Sequence, residues 1–195
     1  MIRIGLTGSI GMGKSTVARM FADHGIPGHD ADATVHKLYS GRAAPMIEDA
    51  FPGTTRDGKV DRTLLSPNVL GKPEAMKKLE VIVHPLVREE EQAFLEVAKQ
   101  DRRRAVLLDI PLLFETGGGV RVDVCVVVSA PKDVQRQRVL ERPGMSEERF
   151  EAICSKQMPD SEKRARAHFV IETGYSLDMT RRSVASVVRA IAGMG

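Results

Sequence analysis

The sequence predicts an α/β domain, doubly wound around a parallel sheet of about five strands, with a helical insertion and a helical lid. Three observations carry that expectation. The continuously apolar runs Val106-Leu107-Leu108 and Val124-Cys125-Val126-Val127-Val128 read as strands covered on both faces. Segments with apolar residues at helical spacing separate them, and strand–helix alternation marks a parallel sheet. A glycine-rich stretch, GSIGMGKST, stands directly behind the first strand, at the carboxyl edge where such sheets bind ligands.

Ile2–Thr7 is the first strand. Behind it, Gly8 to Ser15 fits G-x-x-x-x-G-K-[ST], the phosphate-cradling P-loop. Glycines let the backbone turn tightly and bring successive N–H groups close to an anion. Gly8, Ser9, Ile10, Gly11, Met12, Gly13, Lys14, Ser15 and Thr16 are therefore expected to hold a nucleoside triphosphate. Lys14 would reach the β/γ-phosphates and the Ser15 hydroxyl would ligate Mg²⁺. Val17, Met20 and Phe21 then recur at helical spacing over 14–24, and Gly25 supplies a stop.

A weaker strand over Ile26–Asp30 leads into Asp30-Ala31-Asp32. A strand's period of two places both carboxylates on one side, at the rim beside the P-loop. They suit the positioning of an acceptor hydroxyl in phosphoryl transfer, or a plain polar turn. The segment from Asp32 to Ala105 far exceeds one crossover helix. It reads as a helical insertion, 61–103, with a long helix over 74–100 that carries Leu79, Ile82, Val83, Leu86 and Val87 on one side. Pro85 is expected to kink or break that helix, and His84 before it suits either a ligand or a freed carbonyl.

The run over 105–110 contains Asp109 in the position of a Walker B aspartate that holds Mg²⁺. No acidic residue adjoins Asp109, which argues against a hydrolytic ATPase. Further strands fall at 122–128 and 169–171, with helices at 133–141, 147–157 and 177–191. Arg138 and Arg142, four apart, are expected to share a helix face. They serve either as surface residues or as lid cations that arrive on closure, the lid running over about 142–164. The nucleotide-binding core is then 1–60 with 104–195.

Composition narrows the function classes. Hydrophobic residues make up 42% and charged residues 28%, ordinary for a globular chain. The net charge of +3 supports no nucleic-acid partner. No apolar run approaches the ~20 residues of a membrane span, and the first strand begins at once, leaving no room for a signal peptide. Cys125 and Cys154 read as buried free thiols, so a cytoplasmic location is expected. A GTP-dependent switch would need Asn-Lys-x-Asp, yet Asn68 is the only asparagine and Val69 follows it.

GLTGSIGMGKST, HDAD, the stretch Asp57-Gly58-Lys59-Val60-Asp61-Arg62, His84-Pro85, DIPLLFETG and Gln135-x-x-Arg138 follow one another between Ile4 and Gly174. Taken together they resemble the dephospho-coenzyme A kinase family. The resemblance implies transfer of the ATP γ-phosphate to the ribose 3′-hydroxyl of dephospho-CoA, the last step of coenzyme A synthesis. It implies Asp32 as the catalytic aspartate, with Lys14, Arg138 and Arg142 acting on the phosphoryl group. It places Asp32, Arg62, His84, Pro85, Asp109 and Leu113 around the acceptor, and Ser15 with Asp109 at Mg²⁺. Gln157-Met158-Pro159 and the stretch 163–167 resemble the lid's return helix. His168 and Glu172-Thr173-Gly174 depart from the family's pattern near the adenine. ATP and dephospho-CoA are the implied partners, with no nucleic acid and no membrane, in a monomer or small homo-oligomer. A P-loop kinase for another small metabolite or nucleotide is the alternative.

Overall fold

In the computed structural model, which describes residues 1–194, the elements follow in chain order. They are β1 (Ile2–Thr7), α1 (Lys14–Asp23), β2 (Gly28–Asp30), α2 (Ala31–Tyr39), α3 (Ala43–Ala50), β3 (Thr55–Arg56) and β4 (Lys59–Val60). After these come α4 (Arg62–Val69), α5 (Pro73–Gln100), β5 (Ala105–Asp109), β6 (Val124–Ser129) and α6 (Lys132–Leu140). The chain finishes with α7 (Glu147–Cys154), α8 (Asp160–Ala165), β7 (Phe169–Glu172) and α9 (Leu177–Ala192). Two compact units result, one of Met1–His29 with the chain from Ala98 onward, the other of Asp30–Val97.

The first unit is built on a five-stranded sheet in the order β2-β5-β1-β6-β7. β1 lies parallel between β5 and β6, and β7 runs parallel to β6. The register sets where the strands stop. Leu6 lies beside Asp109 on one side and Val126 on the other, so β1 and β5 end together. Every residue of β6 is buried, which is why that strand reads as an unbroken apolar run. α1 and α9 cover one face, with Ile4, Val17, Phe21, Val126, Ile171 and Val184 fully buried between them. Each such side chain contributes about 1.5–3 kcal/mol by leaving water.

The second unit has its own core of Leu38, Ile47, Phe51, Leu65, Leu79, Val83 and Leu86. Its β3–β4 hairpin turns at Asp57 and Gly58, both at positive φ. Glu48 ties down the preceding loop by accepting from the N–H groups of Gly53, Thr54 and Thr55. Those bonds hold its carboxyl below the usual range.

Several expectations are corrected. Asp30 and Asp32 do not alternate along a strand, because Asp30 turns the chain into α2 by accepting from Ala33 N–H at 2.9 Å. Residues 31–60 cluster with the second unit, not with the sheet. Pro85 does not break α5, which runs unbroken through it. Its neighbours Val83 and Leu86 are buried, and that packing outweighs the one backbone hydrogen bond proline removes. α6 stops at Leu140, so Arg142 lies beyond the helix that carries Arg138. Cys125 is buried and Cys154 only partly so; both are free. No helix among the described residues is long and apolar enough to cross a membrane.

Candidate functional site

The glycine-rich loop leaves β1 at the point where the sheet order reverses, between β5 and β6. Its shape depends on two glycines in the left-handed region, Gly11 at φ 80° and Gly13 at φ 88°. A Cβ at Gly11 would lie 2.5 Å from Val139, and one at Gly13 would lie 3.1 Å from Thr173. Backbone angle disfavours a side chain at both positions, and at Gly11 space excludes one as well. Gly13 is the N-cap of α1, and no side chain caps that helix; no acidic residue occupies its first turn. The helix start is left as an uncompensated positive pole, the arrangement that takes an anion.

The loop's hydrophobic residue is an anchor. Met12 is 2% exposed within the core, and the Ala130 N–H points at its sulfur at 3.1 Å. Thr173 donates to the Met12 carbonyl at 2.7 Å. Arg138 grips Thr173 in turn, donating to its hydroxyl at 3.0 Å and its carbonyl at 2.7 Å. So Thr173, one of the departures from the family's pattern, braces the loop. His168 accepts from the Cys125 N–H of β6 through Nδ1 at 3.0 Å, just before β7 begins.

Lys14 and Asp109 meet as an ion pair, the ammonium on Oδ1. Both side chains are largely shielded, at 17% and 7% exposure. Ser15 is exposed in the first turn of α1. A serine hydroxyl and a carboxylate are the hard oxygen donors that magnesium takes. No group of three or more His, Cys, Asp or Glu suited to a metal occurs among the described residues. Magnesium bound here would thus rely on phosphate oxygens and water, which it favours.

Of the other residues singled out in the sequence, Arg142 is exposed past the end of α6. Leu113 is fully buried, packed where a Cβ on Gly5 or Gly118 would fall. Asp32 in α2, His84 and Pro85 in α5 are exposed in the second unit. Arg62 there stacks over Tyr39, 5.3 Å from the ring centroid.

Glu115 enters the sequence reading only within DIPLLFETG, and Lys163 only at the end of the lid stretch; neither is expected there to pair with the other. Lys163 is fully buried on α8, with Nζ 2.9 Å from Glu115 Oε1; the contact lies off the hydrogen-bond direction, and no other partner satisfies Nζ among the described residues. Glu115 also accepts from the Met158 N–H at 2.8 Å. Burial pushes the Glu115 carboxyl up, but the Lys163 ammonium and the Met158 N–H outweigh it and hold it below the usual range. Stability from this pair is therefore complete above the unfolded carboxyl pKa, ~4.3, and is lost as pH falls through the folded value. Glu115→Gln is expected to cost about 3 kcal/mol at neutral pH, because it strands a buried ammonium. Thermal melts over a pH series check this: the gap to the parent should close below about pH 4.

The family model described as dephospho-CoA kinase matches residues 2–178. A relative from Brucella melitensis named dephospho-CoA kinase is 57% identical over 193 residues, 99% of this chain and 96% of that protein. A solved structure from Thermus thermophilus superposes with a TM-score of 0.84 at 37% identity, over 97% of each chain. A dephospho-CoA kinase from Campylobacter jejuni gives a TM-score of 0.67 at 26% identity, over 97% of this chain and 96% of that one. The chain belongs to the dephospho-CoA kinase family.

Proposed function

We infer that this chain transfers the γ-phosphoryl group of ATP to the ribose 3′-hydroxyl of dephospho-CoA, giving coenzyme A and ADP. One observation carries the reading: an uncapped helix start behind a P-loop, with its lysine beside a strand-end aspartate, in a chain of this family.

The roles follow from charge. The backbone N–H groups at the start of α1 take the phosphates. Lys14 carries three donors, so a phosphate oxygen can share its ammonium with Asp109. Ser15 and Asp109 would hold magnesium, which when bound offsets phosphate charge. Asp32 orients the acceptor hydroxyl and takes up its proton. Arg138, already fixed on Thr173, and Arg142 face the charge that spreads in transfer. Arg62, His84 and Pro85 belong to the acceptor-binding part.

A lid over 142–164 excludes water during transfer. α7 buries none of its residues, whereas α8 carries fully buried Lys163. The moving part therefore ends with α7.

A coupled ADP-release assay with ATP and a panel of acceptors, dephospho-CoA and AMP among them, tests the reaction. Turnover should depend on dephospho-CoA. Turnover with AMP instead would favour the other-metabolite alternative.

A further inference from the structure

Two glutamines bracket a single residue of the P-loop. Gln135, on α6 and 7% exposed, donates its Nε2 to the Ile10 carbonyl at 2.7 Å. Gln157, between α7 and α8, accepts the Ile10 N–H on its Oε1 at 3.1 Å. Each carboxamide has its orientation fixed by what it meets, since a carbonyl needs a donor and an N–H needs an acceptor. The segment carrying Gln157 is itself held, because its neighbour Met158 donates to Glu115 and Glu115 is paired with buried Lys163.

Ile10 is the loop residue that most needs such support. It lies two residues after Gly8 and immediately before left-handed Gly11. The nearest backbone bond within the loop passes over it, from Met12 N–H to the Ser9 carbonyl at 3.2 Å. Without the two side chains, the peptides on either side of Ile10 would have little to fix their rotation. Such a rotation would move the N–H groups that follow away from a bound phosphate.

We propose that Gln135 and Gln157 are positioning residues that clamp the Ile10 backbone from both sides and hold the P-loop in its phosphate-accepting shape. Gln157 reaches the loop from the segment between α7 and α8, so the clamp also ties the loop's shape to that segment. The proposal rests on the reading that this loop holds the ATP phosphates. It concerns neither the acceptor nor the proton transfer.

The two clamps need opposite chemistry, and that supplies the test. A carboxylate at 157 still accepts from the Ile10 N–H. A carboxylate at 135 has no proton to donate and faces a carbonyl oxygen. Both Gln→Glu changes add the same charge next to the same residue, so repulsion of ATP is common to them. Gln135→Glu should therefore lose roughly tenfold more of kcat/KM for ATP than Gln157→Glu. Gln157→Met should lose about fivefold to tenfold in kcat/KM for ATP, with KM for dephospho-CoA unchanged. Gln157 is only partly buried, so this variant remains informative where a charge at 135 prevents folding. The Ile10 amide, read by hydrogen exchange, should be protected in the parent and in Gln157→Glu but fast in Gln157→Met; a merely structural role would not single out that amide. Equal losses in the two Gln→Glu variants overturn the proposal. So does a Gln157→Met variant with parental kinetics and a protected Ile10 amide. Failure of the parent itself to phosphorylate dephospho-CoA would strike the functional reading instead.

Discussion

Lys14→Ala is expected to lower turnover by on the order of 10²–10³, the usual consequence of losing one preorganised cation from a phosphoryl-transfer site. The loss should fall on kcat more than on ATP affinity, since charge accumulates on the transferring group. The ion pair with Asp109 gives that variant a second effect. Asp109 is buried and would lose the ammonium that compensates it, which destabilises the fold. Lys14→Ala combined with Asp109→Asn removes both charges and should recover stability without recovering turnover. Steady-state kinetics beside thermal melts separate the two effects. Turnover within threefold of the parent in a folded Lys14→Ala protein would sink the assignment of this loop to phosphoryl transfer.

Asp32→Asn should slow transfer by roughly 10² or more, with ATP affinity nearly unchanged, because a general base is lost and nothing on the nucleotide is touched. Asp30→Asn should be mild. Asp30 is the N-cap of α2, and asparagine caps as well as aspartate. Asp30→Ala, in contrast, should cost about 1 kcal/mol of stability with little kinetic change. Two carboxylates two residues apart thus acquire different expected phenotypes, one in rate and one in melting temperature. Reversed severities in kcat would move catalysis to Asp30.

The elements with strong period or strong composition were legible from sequence. β5 and β6 announced themselves by unbroken apolar runs, and α9 by its one-sided stripe of Val184, Val187 and Ile191, all buried. The P-loop was legible because its glycines answer a backbone requirement that few other residues meet. What escaped was short, or was polar and local. β3 and β4 have two residues each, too few to show alternation. α2 was hidden because Asp30-Ala31-Asp32 reads as well for a strand end as for a cap and first turn. The sequence puts Arg142 on the helix of Arg138, although Pro143 follows at once and the helix ends at Leu140.

The bracing of the candidate site was the least legible part. Gln135, Gln157 and Thr173 act by hydrogen bonds to the loop backbone, and such bonds leave no periodic trace. Glu115 and Lys163 lie far apart in sequence and are ordinary surface residue types. Only burial, complete for Lys163, marks them as structural.

Met12 gives the P-loop a chemical fuse. Its thioether lies under the loop with only 2% of the residue exposed, so a dissolved peroxide has little access to it while the loop is seated. An oxidant would find that sulfur most readily in molecules whose loop has lifted. The sulfoxide formed there is bulkier than the thioether, and the close-packed space under the loop would not take it back without strain. Oxidative damage at this one atom would therefore record past openings of the loop and make them permanent, until a reductase restored the sulfur.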